Sequence, residues 1–106
     1  MMHAKTFDDI LEYRLDKTRR VLASKAEEYA SCDDRMHNFR RAAALQGTTP
    51  ALALVGMWSK HVVSVLDLAR KQAAGGLVPR EVIDEKVGDA VNYLILLEAL
   101  LKEHAT

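Results

Sequence analysis

The residues that stop helices gather at three places in this chain, and every stretch between them reads as helix. Gly47 with Thr49-Pro50 forms one break, Gly75-Gly76 with Pro79 a second, and Ser31, Cys32 and Asp33 a short third. Proline lacks the amide that a helix interior needs, and glycine loses the most chain freedom when it is fixed in one. With two prolines and five glycines in 106 residues, the pattern predicts an all-α fold, a bundle of about four helices forming one domain over 1–106.

The first helix is expected from about Phe7 to Tyr29. Thr6 serves as its N-cap, and Asp8 and Asp9 in the first turn suit the positive end of the helix dipole. Phe7, Leu11, Leu15, Leu22, Ala26 and Tyr29 give its apolar stripe. The second helix is expected from Asp34 to Gln46, with Met36, Phe39, Ala43 and Leu45 inward and Gly47 as C-terminal cap. The third has the clearest start: Thr49 caps it and Pro50 takes the first helical position, where a missing N–H costs nothing. It continues to about Ala74 with Trp58, Val62, Val65, Leu66 and Ala69 on one face. The fourth runs from near Pro79 to near His104, with Ile83, Val87, Ala90, Val91, Leu94 and Leu101 as its core stripe.

From Tyr93 to Leu101 the fourth helix is apolar almost all round. Such a helix must be covered on every side, and one small domain has few helices to do it. The expectation is that part of this surface meets another copy of the chain, making a homo-oligomer.

Apolar residues make up 49% and charged residues 28%, a globular balance. Fifteen basic side chains balance fifteen acidic ones, which disfavours a strongly basic nucleic-acid binder. The local cluster Arg14, Lys17, Arg19 and Arg20 reads as a solvated helix face. One cysteine, Cys32, allows no intrachain disulfide and fits a reducing compartment. Met1 to Thr6 lacks the apolar run of a signal peptide, and the apolar stretches fall short of the ~20 residues of a membrane span. The expected location is the cytoplasm, of a cell or of a phage-infected cell, with no membrane partner.

Two helices break their apolar pattern with polar stripes. Glu85, Asp89 and Asn92 sit at i, i+4 and i+7 on the fourth helix, and Lys60, Ser64 and Asp67 repeat that spacing on the third. Half-buried charges are costly unless paired. The simplest arrangement sets the stripes face to face, with Lys60 near Glu85 or Asp89. This is either a satisfied polar seam that fixes helix register or a cavity for a charged small molecule with a divalent cation. Pattern alone leaves both open. Two carboxylates one turn apart suit a hard cation such as Mg²⁺. A third group, Lys25, Glu27, Glu28, Tyr29, Asp33, Asp34, His37 and Asn38, surrounds the first break. It reads as a solvated connection from which Tyr29 and Asn38 could also reach the cavity. His37 and His61 have no ligand spacing to another histidine and are read as surface or hydrogen-bonded residues.

The run from Lys25 to Tyr29, then Asp33-Asp34 and His37 to Arg40, resembles a family of small phage and prophage proteins. So do the run from Gly56 to Ser64 and the run from Glu85 to Leu94. The resemblance covers about residues 20 to 103. That family is similar to a distant branch of the MazG-like, all-α nucleoside triphosphate pyrophosphohydrolases. The resemblance implies helical oligomers that use Mg²⁺ to cleave a nucleoside triphosphate into a monophosphate and pyrophosphate. It implies metal ligands from Glu-x-x-Glu on one helix and Glu-x-x-Asp on the next, since Mg²⁺ must neutralise phosphate charge and acidify the attacking water.

The chain departs from that pattern. His61 and Ser64 stand where Glu-x-x-Glu would fall. Asp89 keeps its place, but Lys86 replaces the partner Glu, with Glu85 one residue earlier. Asp67, and Glu28 or Asp34, would have to complete the set. The expected site is therefore Glu85, Asp89 and Asp67 on Mg²⁺, with Lys60 on phosphate as a point charge and Asn92 orienting the ligand. Lys25, Tyr29, Asn38 and Asp34 would close it, and no catalytic residue is assigned. The resemblance supports a nucleotide-sized anionic ligand better than it supports hydrolysis. The rival expectation is a non-catalytic helical oligomer with a degenerate site.

Overall fold

A computed structural model describes residues 1–28 and 34–106, the side chains of 25–28 excepted. The described residues form four α-helices and no strand: α1 (Ala4–Glu28), α2 (His37–Gln46), α3 (Pro50–Ala73) and α4 (Arg80–Glu103). The all-α expectation holds, and three of the helix ends lie where their capping chemistry puts them. Thr49 is extended, and its Oγ1 accepts from the Leu52 amide at 3.2 Å, with Pro50 opening α3. Gly47 closes α2 at φ 68°, a left-handed conformation that favours glycine. Pro79 stands just before α4.

Two starts differ. α1 begins at Ala4, so Thr6 does not cap it, and Asp9 instead pairs with Lys5 one turn back at 3.1 Å. α2 begins three residues later than expected because the Asp34 carboxylate accepts from the Met36 amide, folding 34–36 into a turn.

α3 and α4 form an antiparallel hairpin. Leu54 packs with Leu97 and Leu100, while further along α3 the Trp58 indole N–H donates to the Ala90 carbonyl at 3.1 Å. α2 closes the open end of this hairpin, and Met36, Phe39, Ala51, Val55, Trp58, Tyr93 and Leu96 gather around the same core. Leu54, wholly buried, is its centre.

Among the described residues α1 packs on α4 and on no other helix. Of its expected apolar stripe, Leu22 turns inward but the N-terminal members do not. Thr18 is buried, Arg14, Val21 and Leu22 are half-buried, and Phe7, Leu11 and Leu15 are exposed. The Arg14 guanidinium donates to the Asp84 carbonyl at 2.8 Å. It sits so close to Gly88 that a Cβ there would lie 2.6 Å from Nη1. A backbone without a side chain at Gly88 lets this long cation lie flat between the helices. Leu45, Leu66, Ala69, Leu94 and Leu101, expected inward, are also exposed.

Among the described residues α3 is the one helix long and apolar enough to cross a membrane by length and composition. That helix carries Lys60 and Asp67, so its unbroken apolar runs remain shorter than a membrane span. The molecule is elongated, 46 × 30 × 27 Å, with a radius of gyration of 16.2 Å. A compact chain of this length would have one of about 13 Å.

Candidate functional site

The face of the hairpin that carries α1 and α2 encloses a cavity of about 420 Å³. Val21 and Leu22 of α1 form one wall. Asn38 and Phe39 of α2, with Arg35 before them, form another, and Met57 and His61 of α3 the third. Asp89, Asn92, Tyr93 and Leu96 of α4 supply the floor. The walls come from all four helices, so the site exists only once the bundle has assembled.

Within it the His61 imidazole stacks on the Tyr93 ring, centroids 4.7 Å apart and planes 25° from parallel. Phe39 meets the same Tyr93 edge-on at 6.3 Å. His61 Nδ1 lies 3.8 Å from Asp89 Oδ2, an ion pair only when the imidazole is protonated. The Asn92 Oδ1 is buried and has no hydrogen-bond partner among the described residues. An amide oxygen left so costs about 1–3 kcal/mol relative to a satisfied one. At the rim, Arg35 is exposed and donates through Nη2 to the Leu22 carbonyl at 2.9 Å, leaving other N–H groups for an anion.

Asp89 and Asn92 also border a second groove of about 320 Å³ between α1 and α4. Glu85 lies on that groove with Glu81 and Asp84, facing Arg14 and Lys17 of α1. Arg14 is turned into the helix seam and Arg20 pairs with Asp16 at 2.8 Å. The basic cluster of the first helix is thus split.

The two polar stripes do not face each other. Trp58 marks the side of α3 that meets α4. At ~100° per residue, Lys60 points about 160° away from it. Lys60 is exposed, and among the described residues no acid pairs with it. Ser64 donates to the Lys60 carbonyl at 3.1 Å, and exposed Asp67 lies 3.8 Å from Arg70. The neighbour His61, three residues on from Trp58, takes the place expected for Lys60. That spacing was the signal for it in the sequence.

The expected metal set is therefore only partly brought together: Glu85 and Asp89 share the groove between α1 and α4, whereas Asp67 lies on the opposite side of α3. Among the described residues no three His, Cys, Asp or Glu side chains could hold a metal ion. They do not fit a resident Mg²⁺, and no hydrolytic step follows from them. Asp34 does not line the cavity either. Its carboxylate binds Arg40, whose Nη1 and Nη2 also grip Glu103 at 2.9 and 2.6 Å. The Arg40 guanidinium holds both carboxyls below their ordinary range. This pins the start of α2 to the end of α4. Asn38 does line the cavity, while the Lys25 side chain and Tyr29 lie outside the described residues. Arg35, Met57 and Phe39 were not expected there.

No protein-family model matches the chain, and neither does any curated protein or any solved structure.

Proposed function

We propose that the four-helix cavity binds a nucleotide, and that the chain acts by holding this ligand rather than by hydrolysing it. The observation that carries the reading is Asn92. Its amide oxygen is buried without a hydrogen-bond partner among the described residues, and the residue borders a cavity whose neighbouring wall is the stacked His61–Tyr93 pair. A planar base with an N–H on its edge supplies the donor that Asn92 lacks and an aromatic surface for the rings. The cavity volume falls within the range of small-molecule sites. Arg35 at the rim presents the planar cation that suits a phosphate, the role expected of Lys60.

Mg²⁺ belongs to this reading only as the counter-ion a nucleotide brings. It commonly binds through one or two carboxylates plus phosphate oxygens, and Asp89 is the one carboxylate among the described lining residues. The MazG-like resemblance points to the same ligand class. The expectation of pyrophosphohydrolase activity stands as the competing outcome.

The test is calorimetric titration with each nucleoside mono- and triphosphate, with and without Mg²⁺, alongside an assay for released pyrophosphate. Binding without turnover is expected. Asn92→Leu should remove it while leaving the melting temperature unchanged or higher, because an orphan polar atom is replaced by a similar apolar volume. Turnover of any triphosphate would move the assignment to the pyrophosphohydrolase reading. Absence of binding by all of them would end both.

A further inference from the structure

The walls of the cavity set one cation against one anion. Among the described lining residues these are Arg35 and Asp89. Arg35 stands exposed at the rim, with N–H groups beyond the one it gives to the Leu22 carbonyl. Asp89 lies on the floor beside Asn92.

The surroundings of Arg35 do not suit a chain of phosphates. Anions lodge on free amides at a helix N-terminus, and α2 brings its first turn to the cavity through Asn38 and Phe39. Most of the amides there are already used. The Asp34 carboxylate accepts from the Met36 amide at 3.0 Å. The Asp34 carbonyl accepts from His37 at 3.1 Å, and the Met36 carbonyl accepts from Phe39 and Arg40 at 3.0 and 3.1 Å. A carboxylate thus already occupies the positive end of this helix. Arg40, the next cation along α2, is committed to Asp34 and Glu103.

The other way out is negative. Asp89 and Asn92 border both the cavity and the groove between α1 and α4. Glu81, Asp84 and Glu85 line that groove with Asp89, against Arg14 and Lys17. Arg14 is held in the helix seam by its bond to the Asp84 carbonyl. Four carboxylates against two cations repel an anionic group that extends from the cavity in that direction.

We propose that the site selects a nucleoside monophosphate over the di- and triphosphate of the same base. The inference rests on the reading of the cavity as a nucleotide site. One phosphate matches one guanidinium, whose planar fork meets two phosphate oxygens at once. Each further phosphate adds negative charge, and the described groups that await it are used amides, the committed Arg40 and the acidic groove. A nucleoside without phosphate fills the ring and amide contacts but leaves Arg35 unused.

Calorimetric titration with the nucleoside and its mono-, di- and triphosphate, in chelator at fixed ionic strength, tests the ranking. The monophosphate should bind at least about 5-fold tighter than either the nucleoside or the triphosphate, the size of one unit-charge contact at about 4 Å even in bulk water. Arg35→Ala should bring the monophosphate level with the nucleoside. That ratio is insensitive to any loosening of α1, which weakens both ligands alike. Glu81→Gln combined with Glu85→Gln, both exposed and outside the cavity lining, should raise triphosphate affinity about 5-fold and leave the monophosphate nearly unchanged. A triphosphate that binds tightest overturns the inference while the nucleotide reading stands. So does a monophosphate no tighter than the nucleoside, and so does a ranking indifferent to both sets of substitutions. Absence of binding by all four forms removes the nucleotide reading and the inference with it.

Discussion

His61 lies flat on Tyr93, one residue from α3 and one from α4, with the ring centroids 4.7 Å apart. The contact joins the two halves of the hairpin and forms part of the cavity wall. An aromatic pair of this kind contributes about 0.5–1.5 kcal/mol beyond its buried area. His61→Ala should therefore lower stability by about 1–2 kcal/mol and weaken nucleotide binding at least 10-fold. Denaturant melts and calorimetric titration check the two effects separately. Unchanged binding in a folded variant would remove the ring pair from the proposed site.

Lys60→Ala and Asp67→Asn distinguish the geometry from the sequence pattern. Face-to-face polar stripes would make both substitutions damaging. Both side chains are exposed on α3, so each should shift stability by less than about 0.5 kcal/mol and leave nucleotide affinity within two-fold. Urea midpoints and titration of the two variants provide the comparison.

Acid should loosen the tie between α2 and α4. The Arg40 hydrogen bonds depress Asp34 and Glu103 in the folded chain. The unfolded chain therefore binds protons first as pH falls. The stabilisation is complete above the ordinary carboxylate range of about 4 and is lost as pH drops through the depressed folded values. The melting temperature should be level above about pH 5 and fall below about pH 4. Glu103→Gln should lower the plateau and flatten the acid limb, with the two curves converging once the pH lies below the depressed folded-state values.

Leu54 is the one fully buried large side chain among the described residues. Its truncation to alanine should cost about 3 kcal/mol, within the usual 2–5 for such a cavity. A midpoint shift smaller than about 1 kcal/mol would mean that the site collapses around the void.

The breakers made the helices readable: Thr49-Pro50 and Gly47 act locally, and local chemistry is what a sequence displays. Partner choice was less readable, because it depends on which face meets which helix. Phe7, Leu11 and Leu15 have the spacing of a core stripe, yet α1 docks through Arg14, Thr18 and Val21, opposite the bare backbone of Gly88. In the site, Asp89 and Asn92 are legible as polar interruptions of an apolar helix, and Asn38 as a residue of the polar connection within reach of the cavity. The charge stripe makes Lys60 conspicuous in the sequence, whereas the angle from Trp58 turns His61 inward instead. Arg35 went unnoticed because its position depends on a bond to the Leu22 carbonyl, thirteen residues earlier.

One wall of the cavity belongs to a helix that, among the described residues, packs on one other helix. Val21 and Leu22 reach the space only while α1 stays seated, held to α4 by the Arg14–Asp84 bond and to the turn before α2 by the Arg35–Leu22 bond. Occupancy and seating are then thermodynamically linked: a molecule that touches both helices strengthens the hold of α1 by as much as a firmly seated α1 strengthens the hold on the molecule. Slower amide exchange along α1 would accompany filling of the chamber, although most of that helix never contacts what fills it.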